Sequence, residues 1–76
     1  MQPEVETFTE RFNRLTSRLR DAELAHVMSV TEKAIRNLRT GRTQTLRLDR
    51  GLYLAQHLGI TPWYLAFGVE EPRRKR

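Results

Sequence analysis

Two short helices in tandem, joined by a tight turn, are the strongest constraint on this chain. The stretch is Asp21 to Gly41, DAELAHVMSVTEKAIRNLRTG. Leu24, Ala25 and Met28 fall on one face of the first helix at helical spacing, Val30 follows the turn, and Ile35 and Leu38 form an i, i+3 pair on the second. The spacing predicts helices over about 22–28 and about 32–39, with a turn of about two or three residues, as in a helix-turn-helix. Asp21 and Thr31 are the expected N-caps, each worth roughly 1 kcal/mol. Gly41 is placed to end the second helix in the left-handed conformation.

The outward face of the second helix carries the chemistry. Advancing about 100° per residue from Ile35 puts Leu38 and Thr31 beside it and Ala34 at the edge. Lys33, Arg36, Asn37 and Thr40 cluster opposite, with Glu32 and Arg39 on the flanks. Arg or Lys can bond guanine O6 and N7, and Asn can bond adenine N6 and N7, in the major groove. Read as a merely solvated face, the same residues offer Glu32 and Arg36 as an i, i+4 ion pair.

Charge supports the first reading. The chain is 76 residues long with a net charge of +5, and the excess is uneven. Residues 36–50 hold Arg36, Arg39, Arg42, Arg47 and Arg50 against Asp49 alone, whereas residues 1–35 are slightly acidic. The inner basic block thus overlaps the reading helix and the loop after it, where phosphate contacts are needed. That loop, TGRTQT, surrounds Arg42 with Thr40, Thr43, Gln44 and Thr45, and such donors fix register on a duplex without specifying sequence. Arg39, Thr40, Arg42, Thr43 and Gln44 are therefore assigned to the DNA backbone.

The remaining segments supply core. Thr7-x-x-Glu10 has the form of a capping box. Phe8, Phe12, Leu15 and Leu19 make one stripe, so a helix is expected over about 8–19. A fourth helix is expected over about 47–58, with Leu48, Leu52, Ala55 and Leu58 facing inward, Leu54 beside them, and Gly51 costing about 1 kcal/mol relative to Ala. Gly51 is read as allowing close packing or a partner's approach. Gly59 ends this helix. Thr61-Pro62 then caps and starts a fifth, about 62–66, which carries Trp63, Tyr64, Leu65 and then Phe67, expected in the core. Residues 1–6 read as a flexible start, 7–68 as one domain, and 69–76 as a disordered basic tail or linker. Neither alternating runs nor an Asn-Gly hairpin suggests a sheet, so the expected class is all-α.

Other functions find less support. Without cysteines, disulfides and thiolate metal sites are excluded. There is no apolar run of about 20 residues for a membrane span, and the acidic start is unlike a signal peptide. His26 and His57 are isolated, and no HExxH, phosphate loop or Gly-rich cradle occurs. His26 reads as an exposed bystander. The expectation is a cytoplasmic, nucleoid-associated protein that is not an enzyme, with no cofactor, no metal, no membrane and no small-molecule substrate.

Two pieces at the right separation, ELAHVMSVTEKAIRNLRTGR and LYLAQHLGITPWYLAFG, resemble the lambda-repressor-like (Xre/Cro-CI type) DNA-binding domain. The Phe/Leu stripe of the first helix adds to the match, which covers about residues 8–68. The resemblance implies a compact five-helix domain and a phage- or prophage-type regulator that binds double-stranded DNA as a homodimer on a pseudo-palindromic operator. It puts Glu32, Lys33 and, a turn on, Arg36 or Asn37 against the bases; Glu32 enters only this way. The homodimer contact is expected first at Trp63 and Tyr64, second at Gly51 and His57. Family members usually have Gly at the turn, where this chain has Ser29. They often have Gln where it has Asp21, and ionised Asp cannot donate to a phosphate. An antitoxin of the same fold, the DNA-binding end of a larger repressor, and a helical protein-interaction module are the rival readings. RNA binding is less favoured, since no sheet with an aromatic platform is visible.

Overall fold

The computed structural model describes residues 6–69, and these form five helices and no strand. Residues 1–5 and 70–76, with most of the expected flexible start and basic tail, lie outside the described residues. Helix α1 spans Phe8–Leu15, α2 Asp21–Met28, α3 Glu32–Thr40, α4 Leu48–Leu58 and α5 Pro62–Phe67.

Local chemistry explains the helix starts. At α1 the capping box is complete: Thr7 Oγ1 accepts from the Glu10 amide at 3.1 Å, and Glu10 Oε1 accepts from the Thr7 amide at 2.9 Å. Thr31 caps α3 by accepting from the Ala34 amide at 3.1 Å, and Thr61 caps α5 by accepting from the Tyr64 amide at 3.0 Å. The cap expected at Asp21 is corrected. Arg20 occupies the N-cap of α2 and its side chain makes no capping bond. Asp21 is the first helical residue and turns instead to Arg39.

The ends follow backbone conformation. Gly41, Gly59 and Gly68 close α3, α4 and α5 with positive φ. Ser29 does the same for α2 at φ 59°, the one non-glycine residue with positive φ among those described. Helix α1 ends at Leu15, earlier than its stripe suggests. Buried Thr16 folds its hydroxyl back onto the Phe12 carbonyl at 2.6 Å, and the chain then turns, Leu19 N–H donating to the Thr16 carbonyl at 3.0 Å.

Helix α2 packs on α3 and α4, α1 on α3 and α5, and α4 on α5. They enclose Phe12, Leu24, Ala25, Met28, Ile35, Leu38, Leu54, Ala55 and Leu65, flanked by half-buried Phe8, Leu15, Leu19 and Val30 among others. Two expectations about this core fail. On α4 the inward row is Gly51, Leu54, Ala55 and Leu58, at i, i+3, i+4 and i+7. Leu48 is 77% exposed and Leu52 43%. The helix is rotated so that Gly51 faces α5, but a Cβ there would lie 3.9 Å from Leu65, ordinary contact rather than a forced close approach. On α5 only Leu65 is buried. Trp63 is 38% exposed and packs against Phe67 at the surface, centroids 4.9 Å apart and ring planes tilted by 54°.

What holds α5 down is a buried arginine. Arg11, 4% exposed, donates from Nε to the Leu65 carbonyl at 2.9 Å and from Nη2 to the Ala66 carbonyl at 2.8 Å. It thereby satisfies carbonyls that a helix end leaves without partners. A Cβ at position 68 would lie 2.8 Å from Arg11 Nη1, so the glycine there clears space for this clamp.

Candidate nucleic-acid interface

Helix α3 is packed against α1 and α2 and open on its far face. Ile35 and Leu38 are buried against the core. Between α2 and α3 lie only Ser29, Val30 and Thr31, and Val30 N–H donates to the Ala25 carbonyl at 3.0 Å, which sets the turn. Glu32, Lys33, Arg36 and Thr40 stand exposed on the far face, and Asn37 is half-buried at its edge. The angular assignment therefore holds for Lys33, Arg36 and Thr40, whereas Asn37 is half-buried and Thr31, expected beside Ile35, is exposed. Glu32 and Arg36 form no ion pair among the described residues. Lys33 and Arg36 keep their N–H groups free for an outside acceptor, and Glu32 sits in the first turn, where the helix dipole favours an anion.

The loop after α3 is folded against the helix end. Thr43 N–H donates to the Asn37 carbonyl at 3.0 Å, and Thr40 Oγ1 donates to the same oxygen at 3.3 Å. Gln44 Nε2 donates to the Gly41 carbonyl at 3.1 Å, which leaves its second amide hydrogen free. Arg42 is exposed with no partner among the described residues. Of the expected backbone contacts, Arg42, Thr43 and Gln44 thus retain a donor, while the hydroxyl proton of Thr40 is turned inward.

Arg39 is removed from that set. Its Nε donates to Asp21 Oδ1 at 2.7 Å, Nη1 to Asn13 Oδ1 and Thr16 Oγ1 at 3.2 and 3.1 Å, and Nη2 to the Thr16 and Leu19 carbonyls at 3.3 and 2.9 Å. A guanidinium has five N–H groups, and all five are engaged. Asn13 Nδ2 answers by donating to the Arg39 carbonyl at 2.9 Å. Arg39 bolts the end of α3 to α1 and α2, and it has nothing left for a phosphate.

Two arginines that the residue-by-residue reading passed over reach the same side. Arg47 and Arg50, at the start of α4, line a surface concavity with Asn37 and Thr43. Arg47 is paired with Asp49, Nε to Oδ1 at 3.4 Å, while the Arg50 side chain has no partner among the described residues. The signal was present in the basic block of residues 36–50. What was missing was the turn of the chain that brings α4 back beside α3.

The expected dimer residues do not form one patch. Gly51 lines a groove of about 220 Å3 with Phe8, Leu48, Leu52 and Pro62. His57 lies elsewhere, beside His26 and Tyr53 on an open hollow, with Nε2 4.0 Å from Glu23 Oε2. Tyr64 is half-buried and its hydroxyl accepts from Arg14 Nη2 at 2.9 Å. The described residues contain no cluster of three His, Cys, Asp or Glu suited to a metal. No described helix is long and apolar enough to cross a membrane. In comparisons with known proteins, no family model, no curated protein and no solved structure matches the chain.

Proposed function

We propose that this protein is a sequence-specific DNA-binding transcriptional regulator of the lambda-repressor-like type, a phage- or prophage-type repressor that binds a pseudo-palindromic operator as a homodimer. The observation that carries the reading is the open face of α3: Lys33 and Arg36 are exposed and unpaired beside the edge residue Asn37, on a helix whose Ile35 and Leu38 are buried in the core. Such donors fit base edges in the major groove. Arg42, Thr43, Gln44 and Arg50 supply donors at the end of that helix for the phosphates on either side. In a two-fold dimer the two copies of α3 would lie about 34–36 Å apart, one helical turn of DNA. No catalytic role is proposed.

Binding-site selection from random duplexes with the purified chain tests this. The expected result is a paired half-site with about ten base pairs between centres. Arg36→Ala relaxes preference at one base pair per half-site, a loss of about 1–3 kcal/mol of discrimination. Arg42→Ala weakens all sequences alike and lowers the salt slope by about one unit. An unchanged profile for Arg36→Ala would remove that residue from the reading set.

A second reading is favoured by the exposed Leu48, Leu52, Trp63 and Phe67. These suit a protein partner, as in an antitoxin of this fold or an interaction module that does not read DNA. A module of the latter kind gives no salt-dependent retardation of random duplex at low salt, and an antitoxin co-purifies with its toxin.

A further inference from the structure

The concavity between α3 and α4, about 280 Å3 in volume, has a mixed character that the DNA reading does not require. Its floor is apolar and includes Val30, Ala34 and Leu46. Its rim carries Asn37, Thr43 and Arg50, each half-buried. The amide of Asn37, the hydroxyl of Thr43 and the guanidinium of Arg50 have no hydrogen-bond partner among the described residues. Arg47 also reaches the rim, but Asp49 neutralises it, so the seat carries the single positive charge of Arg50.

We propose that this concavity binds a small carboxylate with an apolar body, of the arylacetate kind. A planar guanidinium grips a carboxylate through two parallel hydrogen bonds. The amide and hydroxyl fix its orientation, and the apolar floor takes the ring, which is the usual division of labour in a small-molecule site. A bare anion would use the rim alone and a neutral hydrocarbon the floor alone. The volume lies just under the range of about 300–1,000 Å3 typical of ligand sites, so the guest is small.

The site adjoins the proposed reading surface. Asn37 belongs to α3, and Thr43 to the loop assigned to phosphates. A guest that occupies both competes with DNA, and by reciprocity DNA weakens the guest by the same factor. This coupling rests on the function proposed above; the binding itself does not.

The test is an NMR titration of the isotope-labelled full chain with phenylacetate, with phenylacetamide as the uncharged control and inorganic phosphate as the control without a ring. Saturable shifts centred on the amides of Asn37, Thr43 and Arg50 are expected with phenylacetate, and either control should bind at least about ten-fold more weakly. Arg50→Ala, whose side chain makes no hydrogen bond or ion pair among the described residues, and Ala34→Leu, which fills the floor, should each weaken phenylacetate about ten-fold or more. Two variants guard against one failing to fold. No saturation by about 20 mM, equal binding of inorganic phosphate, or full affinity in both variants would overturn the site. A gel shift separates the two proposals. If wild-type protein retards no duplex at low salt, the DNA reading falls while the titration still decides the site. If duplex is retarded and saturating phenylacetate leaves its affinity unchanged, the coupling is wrong.

Discussion

All five N–H groups of Arg39 end on acceptors within the chain, and two of those acceptors are carbonyls of the irregular segment between α1 and α2. Removing the side chain leaves Asp21 and the Leu19 carbonyl without their donor at once, while the Thr16 carbonyl keeps the Leu19 amide. Arg39→Ala is therefore expected to lower unfolding free energy by about 2–4 kcal/mol, read as a shift in the urea midpoint. Arg39→Lys should recover only a small part, because an ammonium cannot reproduce the planar fork. Ser29 presents the opposite case, a local strain with a simple remedy. A left-handed residue with a Cβ costs roughly 1–2 kcal/mol, and glycine returns part of this as chain entropy on unfolding. Ser29→Gly should raise stability by about 0.5–1 kcal/mol, a few degrees in melting temperature. The unusual turn at Ser29 was legible through the family resemblance, which places glycine at that position. The role of Arg39 was not, because helical geometry gives a residue's angle and says nothing of what waits there. Asn13, Thr16 and Leu19 come near it only through tertiary packing.

At the scale of elements, three of the four expected caps and the facing of α3 were readable, while the cap at Asp21 and the rotation of α4 were not. Thr7, Thr31 and Thr61 cap as their spacing requires, since each bond is made within three residues. The inward row of α4 was misplaced because leucines stand on both the buried row and its flank, and composition alone does not say which row meets α2 and α5. The premature end of α1 depends on a buried hydroxyl that no pattern marks. Helices α1 and α5 are joined outside the core as well. Glu6 accepts from Arg14 Nε at 2.6 Å and Nη2 at 2.9 Å, and Arg14 Nη2 reaches the Tyr64 hydroxyl. The hydrogen bond from Arg14 holds the Glu6 carboxyl below its ordinary value of 4.5; desolvation opposes this, and the charges of Arg14 and Arg11 add to it. A carboxyl with a lowered folded-state pKa binds more protons unfolded than folded, so its contribution is complete above about 4.5 and is lost as pH falls through the lowered value. Urea midpoints measured from pH 7 to pH 3 should decline over that acid limb, and Glu6→Gln should make the decline shallower.

The molecule as a whole presents two unlike surfaces. Lys33, Arg36, Arg42 and Arg50 concentrate positive charge around α3, while Leu48, Leu52, Trp63 and Phe67 leave α4 and α5 with apolar surface in water. A domain this small can bury only about 60% of its chain, yet Leu48 at 77% exposure is a large side chain to leave in solvent. Leu48 and Leu52 border the groove beside Pro62, which suits an isologous contact between two copies. Sedimentation equilibrium should show average mass rising with concentration above 9.0 kDa, and Leu48→Glu should hold the protein at that mass. Mass that stays at one protomer across the accessible range would exclude the contact.

The single tryptophan stands on this outer face against Phe67 rather than in the interior. Its emission therefore starts from a partly wet ring, and loss of the core around Phe12 and Leu54 will change its colour only modestly. Whatever covers that corner of the molecule will change it more. In this chain the indole is a built-in gauge of company kept at the α5 face, and a poor thermometer of the fold beneath it.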